Sequence, residues 1–159
     1  FEVIKKLTKM YPNNIVGMKD SSGNLDNMLK ITKIFDNFSL FSGSDSLALK
    51  VCKRGGAGAI TATSNISGKL LSFIVNNYKE ENSIDNFQEF QILQENIRKV
   101  LFTHEPVSGL KAFMSVKHSN EEWNRVNPPL NKIKNPQSHK TVIGLIELLK
   151  KMDDLLVSA

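Results

Sequence analysis

The chain has 159 residues, 40% of them hydrophobic and 23% charged, which are ordinary values for a soluble globular protein and do not indicate disorder. No apolar run reaches the roughly 18 residues of a membrane span and no signal peptide is visible, so we expect a cytoplasmic protein without a membrane partner. The net charge of +5 is spread over lysines that stand beside Glu and Asp, without interleaved aromatic residues, so nucleic acid is not an expected partner.

The first half of the chain alternates between helical and strand patterns. Apolar residues at helical spacing predict helices over residues 1–10, 25–35, 46–54 and 65–77, and short apolar runs predict strands over 15–18, 38–42 and 57–61. Strands that alternate with helices through short connections indicate parallel strands with helical crossovers. The first half is therefore predicted to be an α/β sheet of the barrel or doubly wound type.

The second half of the chain is predicted to be all-helical. Amphipathic spacing predicts helices over residues 84–102 and 141–156, and Pro106 starts another element that reaches about Lys117. We therefore divide the chain into an α/β part over 1–80 and a C-terminal helical extension over 81–159.

The number of predicted strands raises a problem, since three parallel strands cannot close a barrel of about eight and would leave two bare edges. Either the sheet is small, open and wrapped by its helical tail, or the chain is the back part of something larger. The chain begins with Phe1 rather than Met, which favours the second alternative.

Three motifs appear in order at the ends of the predicted strands. They read GMKDSSGNL over 17–25, FSGSDSLAL over 41–49 and GGAGAITATSNI over 55–66, and RVNPPL follows over 125–130. Together they resemble the dihydrodipicolinate synthase/N-acetylneuraminate lyase family of pyruvate-dependent aldolases. The resemblance covers essentially the whole chain but only about the last half of the family's usual length. It implies strands six to eight of a (β/α)8 TIM barrel followed by a C-terminal helical extension.

The resemblance gives a role to Lys19, which follows a buried-looking strand although lysine is rarely buried. In this family the lysine that ends the sixth strand forms a Schiff base with the keto carbon of pyruvate or a 2-keto acid. That chemistry needs an uncharged amine, so we expect Lys19 to be buried at the strand end. The alternative is a lysine that reaches from the strand edge into water.

The resemblance also implies substrate-binding positions in the turns after the three strands. Gly43 matches a glycine that lets the bound keto acid approach, although it is also a plain turn glycine. The carbonyl oxygen of Ile60 is expected to face the lysine and the substrate, with an ordinary core side chain. Ser44 and Asp45 are expected to contact the variable half of the substrate, with capping of the next helix as the alternative.

Asp20 and Ser21 directly follow the lysine. They are expected either to orient substrate hydroxyl groups or simply to form the turn.

The histidines and the cysteine are weaker candidates for functional residues. His104, His118 and His139 lack metal-ligand spacing, and the lone Cys52 is typical of a small core residue in a reducing compartment, so we expect no metal ion and no cofactor.

The function implied by the resemblance is that of a Schiff-base (class I) aldolase or lyase, which joins pyruvate to an aldehyde or reverses that reaction. The stretches KDSSGN and RVNPPL favour a 2-keto-3-deoxy sugar acid as substrate; the alternative within the family is 4-hydroxy-tetrahydrodipicolinate synthase of lysine biosynthesis. A non-catalytic α/β assembly module is the alternative from another class.

The family's usual architecture also sets expectations about assembly and activity. Its carboxylate-binding Thr-Thr pair and its proton-relaying tyrosine have no matching motif in this chain. We therefore expect the chain to be an incomplete fragment that is inactive alone, and the intact enzyme to be a homodimer or homotetramer.

Overall fold

The computed structural model describes residues 1–157. They form seven α-helices and three β-strands, and the strands alternate with the first four helices over the first half. The elements are α1 (Glu2–Met10), β1 (Gly17–Asp20), α2 (Leu25–Ile34), β2 (Ser39–Ser42), α3 (Asp45–Cys52), β3 (Gly58–Ala59), α4 (Ser64–Asn77), α5 (Phe87–Phe102), α6 (Pro106–Lys117) and α7 (Lys140–Val157). Short 3-10 turns lie at Tyr78–Glu80, Glu121–Asn124 and Pro136–Ser138. The predicted α/β class is confirmed.

The described chain falls into two units. The first contains Phe1–Thr61 and Ser72–Glu81, and the second contains Ala62–Leu71 and resumes at Asn82. Helix α4 therefore contributes to both units, and it is kinked at Ser67, whose φ of −122° and ψ of 29° are not helical. The division of the chain at residue 80 stays a prediction.

The first unit is built on a parallel sheet with the strand order β1-β2-β3. In its register Lys19 lies opposite Phe41, and Phe41 lies opposite Gly58. Because residues opposite each other in a sheet point to the same face, this row shares one face and the next residue along each strand belongs to the other.

The other face of the sheet is covered by helices and carries the core of the first unit. Met28, Ile31, Leu40 and Val51 form a buried cluster, and Met18 packs against it. The amphipathic face predicted for α1 contributes less than expected. Ile4 packs against the cluster, but Phe1, Leu7 and Met10 on the same face are exposed.

The strands differ from their predicted bounds for a physical reason. Strand β1 begins at Gly17, halfway through the predicted run 15–18, and Val16 is exposed. Strand β3 is only Gly58–Ala59, within the predicted run 57–61. An apolar run indicates burial, whereas strand pairing also depends on where the neighbouring strand begins and ends.

The second unit contains three long helices that pack together, with α5 and α6 both against α7. Their inward residues are Phe90, Leu93, Ile97, Leu101, Ala112, Phe113, Val142, Leu145 and Leu149, all buried. Helix α5 starts later than the predicted residue 84, because Asn86 adopts a left-handed φ of 59°. Within residues 1–157 no helix is long and apolar enough to cross a membrane.

Candidate active site

Lys19 lies in strand β1, one residue before the strand ends at Asp20. Its side chain is exposed, so the prediction that it is buried is wrong for this chain. The reason is the sheet face to which it belongs. The helices cover the Met18 and Leu40 face, whereas Lys19 and Ser39 on the opposite face both remain exposed.

Phe41 is the partner of Lys19 in the β1–β2 register and lies on the same face of the sheet. Phe41 is half-buried, and a Cβ atom built at Gly58 would lie 3.6 Å from its ring. That is an ordinary contact distance, so the φ of +148° at Gly58, rather than a lack of room, is what favours glycine here. The open face presents an amine beside an aromatic ring.

Asp20 anchors the turn that follows Lys19. Its Oδ1 accepts a hydrogen bond of 2.7 Å from the Ser22 backbone N–H, and its Oδ2 accepts one of 2.9 Å from Nδ2 of Asn27 in helix α2. Burial alone would raise the pKa of Asp20, but the hydrogen bonds from Ser22 and Asn27 outweigh it, so the pKa lies below its ordinary value. Asp20 is thus held as a carboxylate that shapes the turn, and the orientation of substrate hydroxyl groups by Asp20 and Ser21 stays a prediction.

Gly43 brings the turn after β2 against the turn after β1. Its N–H donates a hydrogen bond of 2.7 Å to the Asp20 carbonyl oxygen. A Cβ atom at this position would lie 2.5 Å from the Ser21 Oγ and 2.8 Å from the Asp20 carbonyl oxygen. The contact with Ser21 is thus a reason for glycine here that needs no ligand, and its role in substrate approach stays a prediction.

Asp45, the first residue of α3, is buried and faces the end of β3. Its side chain is 6% exposed, and its Oδ1 accepts a hydrogen bond of 2.8 Å from the Thr61 hydroxyl. Ser44 occupies the N-cap position but makes no side-chain capping bond; its Oγ lies 3.0 Å from the Ser46 Oγ. Substrate contact by Ser44 and Asp45 stays a prediction. For Asp45 the hydrogen bond from Thr61 is another reason for a carboxylate at this position, and it needs no substrate.

Ile60 follows β3 directly, and its N–H donates a hydrogen bond of 2.9 Å to the Ser42 carbonyl oxygen. Its side chain is 49% exposed, so the prediction of an ordinary core side chain is wrong. Ile60 lies beyond Ala59, the last paired residue of β3, and its side chain is open to solvent there, whereas Gly58 two residues earlier is buried. The predicted role of the Ile60 carbonyl oxygen remains a prediction.

The structure brings all the predicted site residues to the carboxyl ends of neighbouring strands, because both strand pairings are parallel. Direct contacts join the first turn to the second through Asp20 and Gly43, and the second to the third through Asp45 and Thr61. Thr61 and Asn27 were not predicted as site residues. The available signal for Thr61 was a polar residue at the end of an apolar strand, directly after the Ile60 position.

The described residues show no group of three or more His, Cys, Asp or Glu side chains that could hold a metal ion. Two of the three histidines pair edge to face, with a centroid distance of 5.3 Å between His104 and His139, and His118 stacks on Trp123. Cys52 is a buried thiol, and burial raises its pKa. The chemistry-bearing groups at the strand ends are therefore one amine, two carboxylates and several hydroxyl groups.

The matching family model and the similar proteins all carry the description of one family, the dihydrodipicolinate synthases. The model of the dihydrodipicolinate synthetase family matches residues 1–146. The 4-hydroxy-tetrahydrodipicolinate synthase of Listeria monocytogenes serovar 1/2a is 48% identical over 68 residues, which are 42% of this chain and 22% of that protein. The protein of the same name from Methanococcoides burtonii is 34% identical over 131 residues, covering 81% of this chain and 43% of that protein.

Solved structures share the fold. The 4-hydroxy-tetrahydrodipicolinate synthase from the thermoacidophilic methanotroph Methylacidiphilum fumariolicum SolV superposes with a TM-score of 0.77 at 22% identity, over 97% of this chain and 51% of that one. The chain thus spans less than half the length of the two relatives and about half of the solved structure.

Proposed function

The chain belongs to the dihydrodipicolinate synthetase family, and we propose from this that it carries the imine-forming lysine, Lys19, of a pyruvate-dependent class I aldolase or lyase. The observation that carries the proposal is the position of Lys19. It stands near the carboxyl end of a parallel strand, with the turns of Gly43 and Ile60 at the same edge of the sheet. Lysine imines with keto substrates need such a site, where an amine and substrate-binding turns converge.

The chemistry follows from an amine that meets a keto acid. The Lys19 nitrogen adds to the keto carbon of pyruvate, and loss of water leaves an iminium ion. Removal of a proton from the neighbouring methyl group moves the electron pair into the carbon–carbon double bond of an enamine. The enamine carbon forms the new bond to an aldehyde carbon, and water then releases the product and regenerates the amine; cleavage runs the same steps backwards.

In the whole enzyme, the sheet face that carries Lys19 has to be covered by further strands. We assign β1, β2 and β3 to strands six to eight of a (β/α)8 barrel, because the family's solved structures are about twice as long as this chain. Closing the barrel over this face would remove water from Lys19 and Phe41. A lysine without its hydration shell loses the preference for the charged form, which is what imine formation needs.

The identity of the aldehyde divides the family, and two observations favour different answers. The two relatives are both 4-hydroxy-tetrahydrodipicolinate synthases, which supports a synthase. The sequences KDSSGN after β1 and RVNPPL in the tail support a 2-keto-3-deoxy sugar acid substrate. We give the synthase precedence, because the similarity to named relatives extends over 131 residues whereas each motif is short. The whole enzyme is proposed to act in the cytoplasm as a homodimer or homotetramer.

The test of the proposal is reductive trapping on the full-length protein that contains this chain. Pyruvate and sodium borohydride are expected to add the mass of reduced pyruvate to the peptide that contains Lys19. K19R is expected to give no adduct, whereas K33R, which changes an exposed lysine of α2 in the same way, keeps it. An unmodified Lys19 in the wild-type protein would contradict the proposal and favour the non-catalytic assembly module.

The identity of the aldehyde substrate is tested separately, by activity assays on the full-length protein once trapping has been shown. Formation of 4-hydroxy-tetrahydrodipicolinate from pyruvate would identify the synthase. Release of pyruvate from 2-keto-3-deoxy sugar acids, without synthase activity, would instead identify the sugar acid branch.

A further inference from the structure

Asp45 and Thr61 join the turns that follow the second and third strands. The Thr61 hydroxyl donates a buried hydrogen bond of 2.8 Å to the Asp45 Oδ1. The two side chains are 6% and 7% exposed. They lie 16 residues apart in the chain, so the contact is a tertiary one that no local turn geometry requires.

The hydrogen bond between Thr61 and Asp45 lies just beyond the last paired residue of β3. Strand β3 ends at Ala59, so the peptide unit between Ile60 and Thr61 lies beyond the paired residues of the strand. On one side of that unit the Ile60 N–H donates to the Ser42 carbonyl oxygen at 2.9 Å. On the other side the Thr61 side chain is held by Asp45. The peptide carbonyl of Ile60 is therefore restrained from both ends.

The chemistry of the pair suits a rigid support. A carboxylate that accepts from a hydroxyl group makes a charge-assisted hydrogen bond, which is stronger than a neutral one, and burial protects it from competition by water. Asp45 is also the first residue of α3, where the amide groups of the helix N-terminus favour a negative charge. The support thus rests on a regular element rather than on a loop.

We propose that Asp45 and Thr61 form a positioning pair that sets the orientation of the Ile60 carbonyl oxygen toward the substrate imine. This rests on the proposed function of Lys19 and on the predicted role of the Ile60 carbonyl oxygen. It gives Asp45 a role through the Ile60–Thr61 peptide unit instead of through direct contact with the variable half of the substrate. Thr61 becomes a residue of the site that acts without touching the substrate.

The experiment measures the rate of reductive trapping of pyruvate in the full-length protein as a function of pyruvate concentration. T61V removes the hydroxyl group and keeps the shape of the side chain, and T61S keeps the hydroxyl group. T32V is the matched control, because the Thr32 hydroxyl donates at 3.1 Å to the Leu29 carbonyl oxygen within α2, away from the strand ends. Thermal unfolding of each variant reports its stability.

The expected result separates positioning from stability. T61V is expected to lower the saturating trapping rate about tenfold, since displacing a group that touches the reacting atoms by an ångström is costly, while the half-saturating pyruvate concentration changes less than about twofold. T61S and T32V are expected to stay within about twofold of the wild-type rate. A purely structural role would lower the fraction of protein that is trapped and leave the rate constant unchanged.

Three outcomes would overturn the inference, and they can be told apart. A wild-type rate constant in T61V would remove the positioning role and leave the function of Lys19 intact. Loss of trapped fraction alone would assign the pair to stability. Absence of any adduct in the wild-type protein would overturn the function of Lys19 and this role together. If T61V does not fold, D45N, which keeps an acceptor oxygen for Thr61 but loses the charge, is expected to show a reduced rate constant, and an unchanged one would overturn the inference.

Discussion

The Gly43 N–H donates a hydrogen bond of 2.7 Å to the carbonyl oxygen of Asp20, and this contact sets how closely the first two turns of the site approach each other. Asp20 directly follows Lys19, and Gly43 directly follows the last residue of β2. The distance between the lysine strand and the turn that carries Ser44 and Asp45 is therefore determined by a backbone contact that tolerates only a residue without a side chain.

G43A is expected to lower the free energy of unfolding by about 1–3 kcal/mol, because its Cβ would be forced against Asp20 and Ser21. G68A is the matched control. A Cβ atom at Gly68 meets nothing within 4 Å, and alanine in a helix is expected to be neutral or to stabilise by about 0.5–1 kcal/mol. Urea unfolding of the two variants gives the comparison, and equal effects would show that the Gly43 contact carries no strain.

Stability is expected to decrease on acidification through the Asp20 carboxylate. Its pKa is lowered in the folded chain, so its contribution is present above the pKa of an unfolded aspartate, about 4, and is lost as the pH falls through the lower folded value. D20N removes this part of the pH dependence, because it cannot ionise. The free energy of unfolding measured from pH 6 down to about pH 3 should therefore fall less steeply in D20N than in D26N, which changes an exposed aspartate of α2. Equal slopes in the two variants would contradict the assignment to Asp20.

The Cys52 thiol is expected to react only after unfolding. It is buried in the last turn of α3 and its pKa is raised by that burial, so both access and thiolate content are low. A thiol reagent at pH 8 should label the native chain slowly and the urea-unfolded chain at once. The control S46C in a C52A background places the thiol on the exposed first turn of α3 and should react rapidly when folded. Fast labelling of native Cys52 would show that its surroundings open.

The core of the first unit depends on Leu40 of β2. Leu40 is 0% exposed and lies in the cluster with Met28 and Val51, so L40A is expected to cost about 2–5 kcal/mol of unfolding free energy. I34A, at a position that is 57% exposed in α2, should change stability by no more than about 0.5 kcal/mol. Denaturant unfolding monitored by circular dichroism measures both. A small effect of L40A would mean that the sheet face is not covered as described.

The isolated 159-residue chain is expected to turn over pyruvate adducts slowly or not at all, although Lys19 is present. Lys19 is exposed on an open sheet face, and the resemblance implies a carboxylate-binding Thr-Thr pair and a proton-relaying tyrosine for which this chain has no matching motif. The measurement is the trapping and turnover assay on this chain beside the full-length protein. Turnover by the isolated chain at the rate of the full-length protein would contradict this expectation.

Local patterns were sufficient to predict most of the elements. The start of α2 is an example, because asparagine directly before an apolar helical pattern is typical of an N-cap, and the Asn24 side chain accepts a hydrogen bond of 3.0 Å from the Asn27 N–H. The pattern of α6 was equally local, since Pro106 begins the helix where a missing N–H costs nothing. Strand ends were less predictable, because pairing depends on the register of a neighbouring strand.

The sequence by itself determined the α/β order of elements and which residues gather at the strand ends. Both follow from periodicity and from the rule that parallel strands share one carboxyl edge. Only the tertiary structure decided that Lys19 is exposed, since burial depends on what covers a sheet face and not on the run of residues before it. Only the tertiary structure, likewise, joined Asp45 to Thr61, because a hydrogen bond across 16 residues is selected by the packing of a helix start against a strand end, which no local pattern encodes.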